Sequence, residues 1–427
     1  MNNVRGWVRR HALSLIAGAA LAVLSTYYAF LPRREGLNLW ADFVSGLSQA
    51  TVLTGPIAAG ICALIASRAA APLKLRVATA ARTGSSVLAR HAVGTIAPVA
   101  ASFPIALILV AIYAMFSGTY GAPSAAWLVA IASATFLACV VGYFGGLLLA
   151  SRWYAAPAIS VGYLATYVLV QSVPVSNGVR SLFPAIINRD SEFVRHITVT
   201  MWGQTLFFLS LSFLVFLIAQ GQSVRVERWR AIAAVPTVMV LAVAGATVLS
   251  TNGQYTSGFN ARDFVCTGAD PEICVNRGYR EALNGLGERF DALNVKVAGT
   301  PLQVRRVEQN VEGVGDEPSE GARSIYIEGL GDSDLDQTVS RYVAKYGGSE
   351  SCMLRADVPY DSLTASIIVD TWLSGFDEYG LNDLDPNALG AKEWQHFKSL
   401  DPRSGNAWFR EHQEDYTACT LTLADLR

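Results

Sequence analysis

The chain has 427 residues, 52% of them hydrophobic and only 16% charged, where a soluble domain carries about 25% charged residues. Its net charge of −1 hides a split: residues 1–250 hold 17 Lys and Arg against 5 Asp and Glu, and residues 251–427 hold 16 against 29. This excludes one large soluble core and a basic nucleic-acid binder, and it predicts a membrane half followed by an acidic soluble domain.

Seven apolar windows are long enough to cross a bilayer: 13–31, 47–67, 95–116, 125–150, 156–174, 201–220 and 232–250. Their central portions contain no Asp, Glu, Lys, Arg or His. The first follows Arg5, Arg9 and Arg10, as a signal peptide would, but its apolar run continues through Tyr27, Tyr28 and Phe30. It is therefore read as an uncleaved span. Pro157 and Pro174 bracket the fifth window, which is expected to be the short or kinked one.

With the N-terminus in the cytoplasm, 12 Lys and Arg fall in inner segments and 5 in outer loops, as the positive-inside rule requires. Seven crossings then deliver residues 251–427 to the outer face. An all-α polytopic domain over 1–250 and an α+β extracytoplasmic domain over 251–427 are expected. The longest inner segment, Arg68 to Ala92, carries Lys74, Arg76, Arg82 and Arg90 beside a modest apolar stripe. It suits a helix lying on anionic lipid, a helix receiving force from a cytoplasmic partner, or both.

Cys62 and Cys139 lie within spans and are read as small apolar residues. The other four cysteines, Cys266, Cys274, Cys352 and Cys419, all fall in the outer domain. An even number in an oxidising compartment predicts two disulfides, and of three pairings Cys266–Cys274 with Cys352–Cys419 is favoured. A zinc site is the rival, but no C-x-x-C occurs, and His396 and His412 are not spaced as zinc ligands with these cysteines.

In the outer domain, Tyr279, Leu283, Leu286, Phe290 and Leu293 recur with helical spacing. Residues 301–307 and 324–328 read as strands separated by a Gly-rich acidic loop. A helix is expected near Asp334, with Asp332 or Ser333 as its N-cap, and three more over 362–376, 389–400 and 405–416. Asp332, Asp334 and Asp336 begin like a calcium loop, but Gln337 and Val343 occupy the positions that need Gly and Glu. Asp383, Asp385 and Asn387 fail in the same way, at Ala388 and Trp394. Glu393 and His396 could join His412 and Glu414 around a metal, without any recognised signature. No nucleophile elbow or P-loop is present, so no enzymatic activity and no cofactor are expected of this chain.

Three features of layout carry a family resemblance. They are the amphiphilic N-terminus Val4 to His11, the basic segment between the second and third spans, and a short outer helical segment over Ser176 to Thr198. Over about residues 1–220 the chain resembles the permease subunit of ABC-2-type exporters. The resemblance implies a separate P-loop ATPase that binds ATP, contact with it through Lys74, Arg76, Arg82 and Arg90, and a homodimer or heterodimer of permease subunits. A seventh span and a large outer domain depart from that pattern. The outer part resembles Cys-bearing domains of unknown function on membrane proteins of high-GC Gram-positive bacteria. The membrane half, with Lys74 its only lysine, fits such a genome and a bacterial cell membrane. The alternative is a membrane-anchored binding or sensory protein without transport activity.

Overall fold

A computed structural model describes residues 2–79, 84–149, 153–173, 178–183, 194–223, 228–251, 256–259, 264–310, 318–347, 349–383, 385 and 387–427. The membrane half is helical: α1 (Asn2–Phe30), α2 (Trp40–Thr79), α3 (Gly84–Ala100), α4 (Ser102–Phe116), α5 (Ala125–Leu148), α6 (Ala155–Gln171), α7 (Thr198–Ser223) and α8 (Arg228–Ser250). Strands β1 (Val194–His196) and β2 (Thr256–Phe259) pair as a two-stranded ribbon. Six stretches are long and apolar enough to cross a membrane, with α3 and α4 together supplying one over Val87–Phe116. Helix α6, at 17 residues, is shorter. The expected outer helical segment differs: it holds a 3-10 turn over Val179–Leu182 and strand β1, while 184–193 lies outside the described residues.

Bundle packing follows the small residues. In α2 and α5, 67% of the spanning window is buried, against 17% in α8, so these two helices form the centre. A methyl group on Gly142 would lie 2.5 Å from Ala59 Cα, and one on Gly146 would lie 2.6 Å from Ala63 Cα. Four-residue spacing on both partners lets the backbones touch along one ridge, the small-xxx-small device of membrane helices. Ser160 of α6 donates to the Pro56 carbonyl at 2.9 Å, beside Gly60 of α2. At the other end of α2, Phe43, Phe30 and Tyr113 meet edge to face within a cluster that includes Trp127 and Phe208.

The second unit comprises residues 259–427 and, from the connection between α1 and α2, Arg34–Leu37. Its sheet runs β3 (Phe264–Cys266), β4 (Glu272–Asn276), β5 (Arg306–Gln309) and β6 (Arg323–Ile325), antiparallel at β3–β4 and parallel thereafter. Ile273, Cys274 and Val275 of β4 are all buried, the continuous pattern of an interior strand. Helices α9 (Ala282–Val297), α10 (Asp332–Gly347), α11 (Ser349–Met353), α12 (Tyr360–Ser374), α13 (Ala391–Lys398) and α14 (Pro402–Ala418) complete it. Leu286, Phe290, Leu293 and Val297 are the buried stripe of α9, and Phe290 meets Tyr342 of α10 edge to face at 5.3 Å. Asp401 caps α14 by accepting from the Arg403 and Ser404 amides, with Pro402 in the first turn. The cap of α10 falls at Gly331, whose carbonyl accepts from Leu335 N, one residue before the expected Asp332.

Arg34–Leu37 is built into this unit by its backbone. The Leu330 amide donates to the Glu35 carbonyl at 2.8 Å, Arg34 donates to the Tyr279 hydroxyl, and Leu37 is buried. Gly36 adopts φ +73°, and a methyl group there would lie 2.8 Å from Leu330 Cβ, so both the turn and the contact require glycine.

Candidate functional site

Helix α2 has 40 residues, a rise of about 60 Å, twice the hydrocarbon thickness of a bilayer. Its apolar part ends at Ala70, and the helix continues to Thr79 through Lys74 and Arg76. The expected loop is thus largely helix. Arg82 lies outside the described residues, and Arg90 is exposed on α3, which begins five residues after α2 ends. At its other end α2 starts three residues after Leu37, the last residue of the chain segment incorporated into the second unit. One continuous helix therefore links a basic terminus to a connection tied into the C-terminal fold.

The helix ends hold ionisable groups that the apolar windows excluded. His91 Nδ1 stands 2.6 Å from the hydroxyl of buried Tyr143, joining α3 to α5. His11 lies where α1 bends, at φ −112°, with its ring against Gly94 of α3. Asp42 is buried in the first turn of α2, where the helix dipole favours a carboxylate. Such groups are costly in a membrane and commonly mark function. Hydropathy alone discards them. Between α3, α5 and α7 runs an apolar groove of about 440 Å³, lined by residues such as Val93, Ile96, Phe136, Phe144 and Phe213.

In the second unit, Cys266 bonds Cys274 and Cys352 bonds Cys419, while Cys62 and Cys139 are buried free thiols. Among the described residues the one grouping of metal-ligand type is Cys266, Glu272 and Cys274, and the disulfide uses both of its sulfurs. The acids have structural partners. Arg289 binds Asp332 at 3.1 Å and Asp336 at 2.5 Å; Asp385 accepts from the Asn387 amide. Glu393 accepts twice from Arg427, at 2.8 and 3.0 Å, and His412 stacks on Trp408, so no metal set gathers around them.

Lys296 is a half-buried cation of this unit that the sequence did not single out. Its Nζ donates to the Trp372 and Leu373 carbonyls at 2.6 and 3.2 Å, closing the C-terminus of α12, and lies 5.4 Å from the Trp372 ring centre. Burial pulls the ammonium down to about 8 from its ordinary 10.5, against the pull of those carbonyls. The folded state thus binds fewer protons than the unfolded one between these values. The burial cost is in full force below about 8 and fades as pH rises towards 10.5, so this group's contribution to stability rises across that window. Protection factors of the α9 and α12 amides, corrected for the rise of intrinsic exchange with pH, should increase over that range, and Lys296→Met should flatten the pH profile. An unchanged slope in the variant would assign the trend to other groups.

Compared with models of known families, with curated proteins and with solved structures, the chain matches none.

Proposed function

We propose that this protein is the membrane-spanning permease subunit of an ATP-driven exporter, working with a separate ATPase subunit, with a C-terminal domain outside the cell. The observation that carries the reading is the long α2: a rigid helix with a basic end beyond its apolar span and its other end beside Arg34–Leu37. A push on Lys74 and Arg76 would be delivered along the helix axis to the far side of the bilayer. The spans offer no carboxylate or histidine at mid-depth to drive transport by ion coupling, so the energy comes from a partner. Helix α8, mostly unburied, offers an apolar face to lipid or to a second permease subunit.

The outer placement of the C-terminal domain draws on two supports. Lys and Arg counts favour a cytoplasmic N-terminus. In addition, Arg34–Leu37 and 259–427 share one compact unit, which supports putting the chain after α1 and the chain after α8 on the same side. On this reading an even number of crossings separates them: α2, α3–α4, α5, α7 and α8 are five, and the shorter α6 is taken as the sixth, which with α1 makes the proposed seven. At about 26 Å, α6 spans with slight local thinning of the bilayer.

The test is a mild-detergent pull-down of the tagged protein with an ATPase assay. A stoichiometric P-loop subunit with vanadate-sensitive activity is expected, and Arg76→Glu with Arg82→Glu should release it. A preparation free of any nucleotide-binding protein would refute the exporter reading and leave a membrane-anchored binding or sensory protein.

A further inference from the structure

Three arginines meet at one edge of the C-terminal sheet. Arg305 and Arg306 lead into β5, and Arg323 opens β6. The two strands run parallel with Val307 opposite Arg323, so all three residues come to the same end of the sheet. There they line a hollow of about 230 Å³ together with Thr300, Gln303 and Gly321. The surrounding sequence, residues 251–427, carries 29 acids against 16 Lys and Arg, which makes three cations in one hollow conspicuous.

Two of the three have structural duties, and those duties fix their position. Arg323 donates to the Leu302 carbonyl at 3.3 Å, the Tyr342 hydroxyl at 2.7 Å and the Pro301 carbonyl at 2.5 Å, and packs 5.0 Å from the Tyr346 ring centre. Three of its five N–H groups are thereby used, leaving two. Arg306 is held by Glu272 at 3.3 Å and by buried Glu308 at 2.9 Å, while its Nε is buried without a partner. Arg305 is different. Its carbonyl accepts from the Glu272 amide at 2.8 Å, but among the described residues its exposed guanidinium meets no acceptor.

Among the described residues, the carboxylates paired at this edge, Glu272 and Glu308, serve Arg306. No carboxylate among the described residues is paired with Arg305 or Arg323 in the hollow. Like charges lining one hollow repel, and a bound anion turns that cost into attraction. A tetrahedral oxyanion offers several lone pairs to guanidinium forks, the pairing in which arginine outperforms lysine. The hollow also has room for a small substituent beside the anion.

We propose that the hollow formed by Arg305, Arg306 and Arg323 binds a phosphate group. Arg323 is the preset floor, Arg306 the charged wall and Arg305 the exposed arm that meets the ligand. The same chemistry could come from a free phosphate compound or from a phospholipid headgroup.

The experiment is titration calorimetry of the full chain in maltoside micelles, which contain no phosphate. Inorganic phosphate is one probe, and glycerophosphoglycerol, a headgroup phosphodiester without acyl chains, is the other. Saturable binding of at least one probe is expected, weakening with added salt. Arg305→Gln should reduce affinity about tenfold or more, since it removes charge-assisted bonds. This variant is chosen because, among the described residues, the Arg305 guanidinium makes no hydrogen bond whose loss would unfold the domain; Arg305→Lys should restore part of the affinity. Binding of inorganic phosphate alone supports a free phosphate compound, and preferential binding of the diester supports a headgroup. No heat with either probe, or equal affinities for wild type and Arg305→Gln, overturns the proposal. The result does not depend on whether an ATPase partner exists.

Discussion

Removing the Cys352–Cys419 bond is expected to destabilise the C-terminal unit by about 4 kcal/mol, the loop-closure entropy of its 67-residue separation. The bond ties α11 to Cys419, which ends α14 in the left-handed region at φ +63°. Cross-linking there removes extended states from the unfolded chain that no local contact could restrict. The Cys266–Cys274 bond closes only eight residues, and the same relation gives about 2.5 kcal/mol. Denaturant titration of the full chain, followed by hydrogen exchange in α12 and α14, should therefore rank Cys352→Ser/Cys419→Ser well below Cys266→Ser/Cys274→Ser in stability. Equal losses for the two pairs would mean that loop closure does not govern either bond.

Gly142→Ala should break the bundle at its centre. The added methyl would sit 2.2 Å from the Ala59 carbonyl oxygen and 2.5 Å from Ala59 Cα, both backbone atoms that no rotamer change can move. Helices α2 and α5 must separate, and overpacking of this kind costs about 3 kcal/mol. Gly145→Ala provides the control on the same helix. Its methyl meets the tip of the Ile159 side chain at 2.6 Å, which can rotate away. Size-exclusion chromatography after graded heating in detergent should show Gly142→Ala lost at clearly lower temperature than Gly145→Ala. Similar profiles for the two would contradict close backbone packing of α2 on α5.

Much of the architecture was legible because apolar periodicity and length are local signals. Residues 279–293 announced α9, and the apolar windows announced the long spanning helices. The four-strand sheet was less accessible. Parallel pairing of β4 with β5 joins Ile273 to Val307, 34 positions away, and nothing in either short segment names its partner. Strands β3 and β4 themselves were missed, since three and five residues around cysteines give too short an alternation to read. The acidic cluster at 332–336 failed the calcium pattern in sequence, and the structure gives Asp332 and Asp336 to Arg289. The arginine hollow escaped notice for a different reason. Its three arginines are 18 positions apart at most and converge only through strand register.

The placement of Arg34–Leu37 in the C-terminal unit also bears on how the molecule is made. This tetrapeptide leaves the ribosome more than 200 residues before its partners Tyr279 and Leu330 are synthesised. It must stay available while the later helices insert, and the C-terminal unit can close only when the last of them has been threaded. A fragment beginning at residue 259 would fold, if at all, with the Glu35 acceptor of Leu330 missing and an unfilled place where buried Leu37 belongs. Completion of the C-terminal fold thereby becomes a built-in report that the preceding helices have been put in place in the correct order.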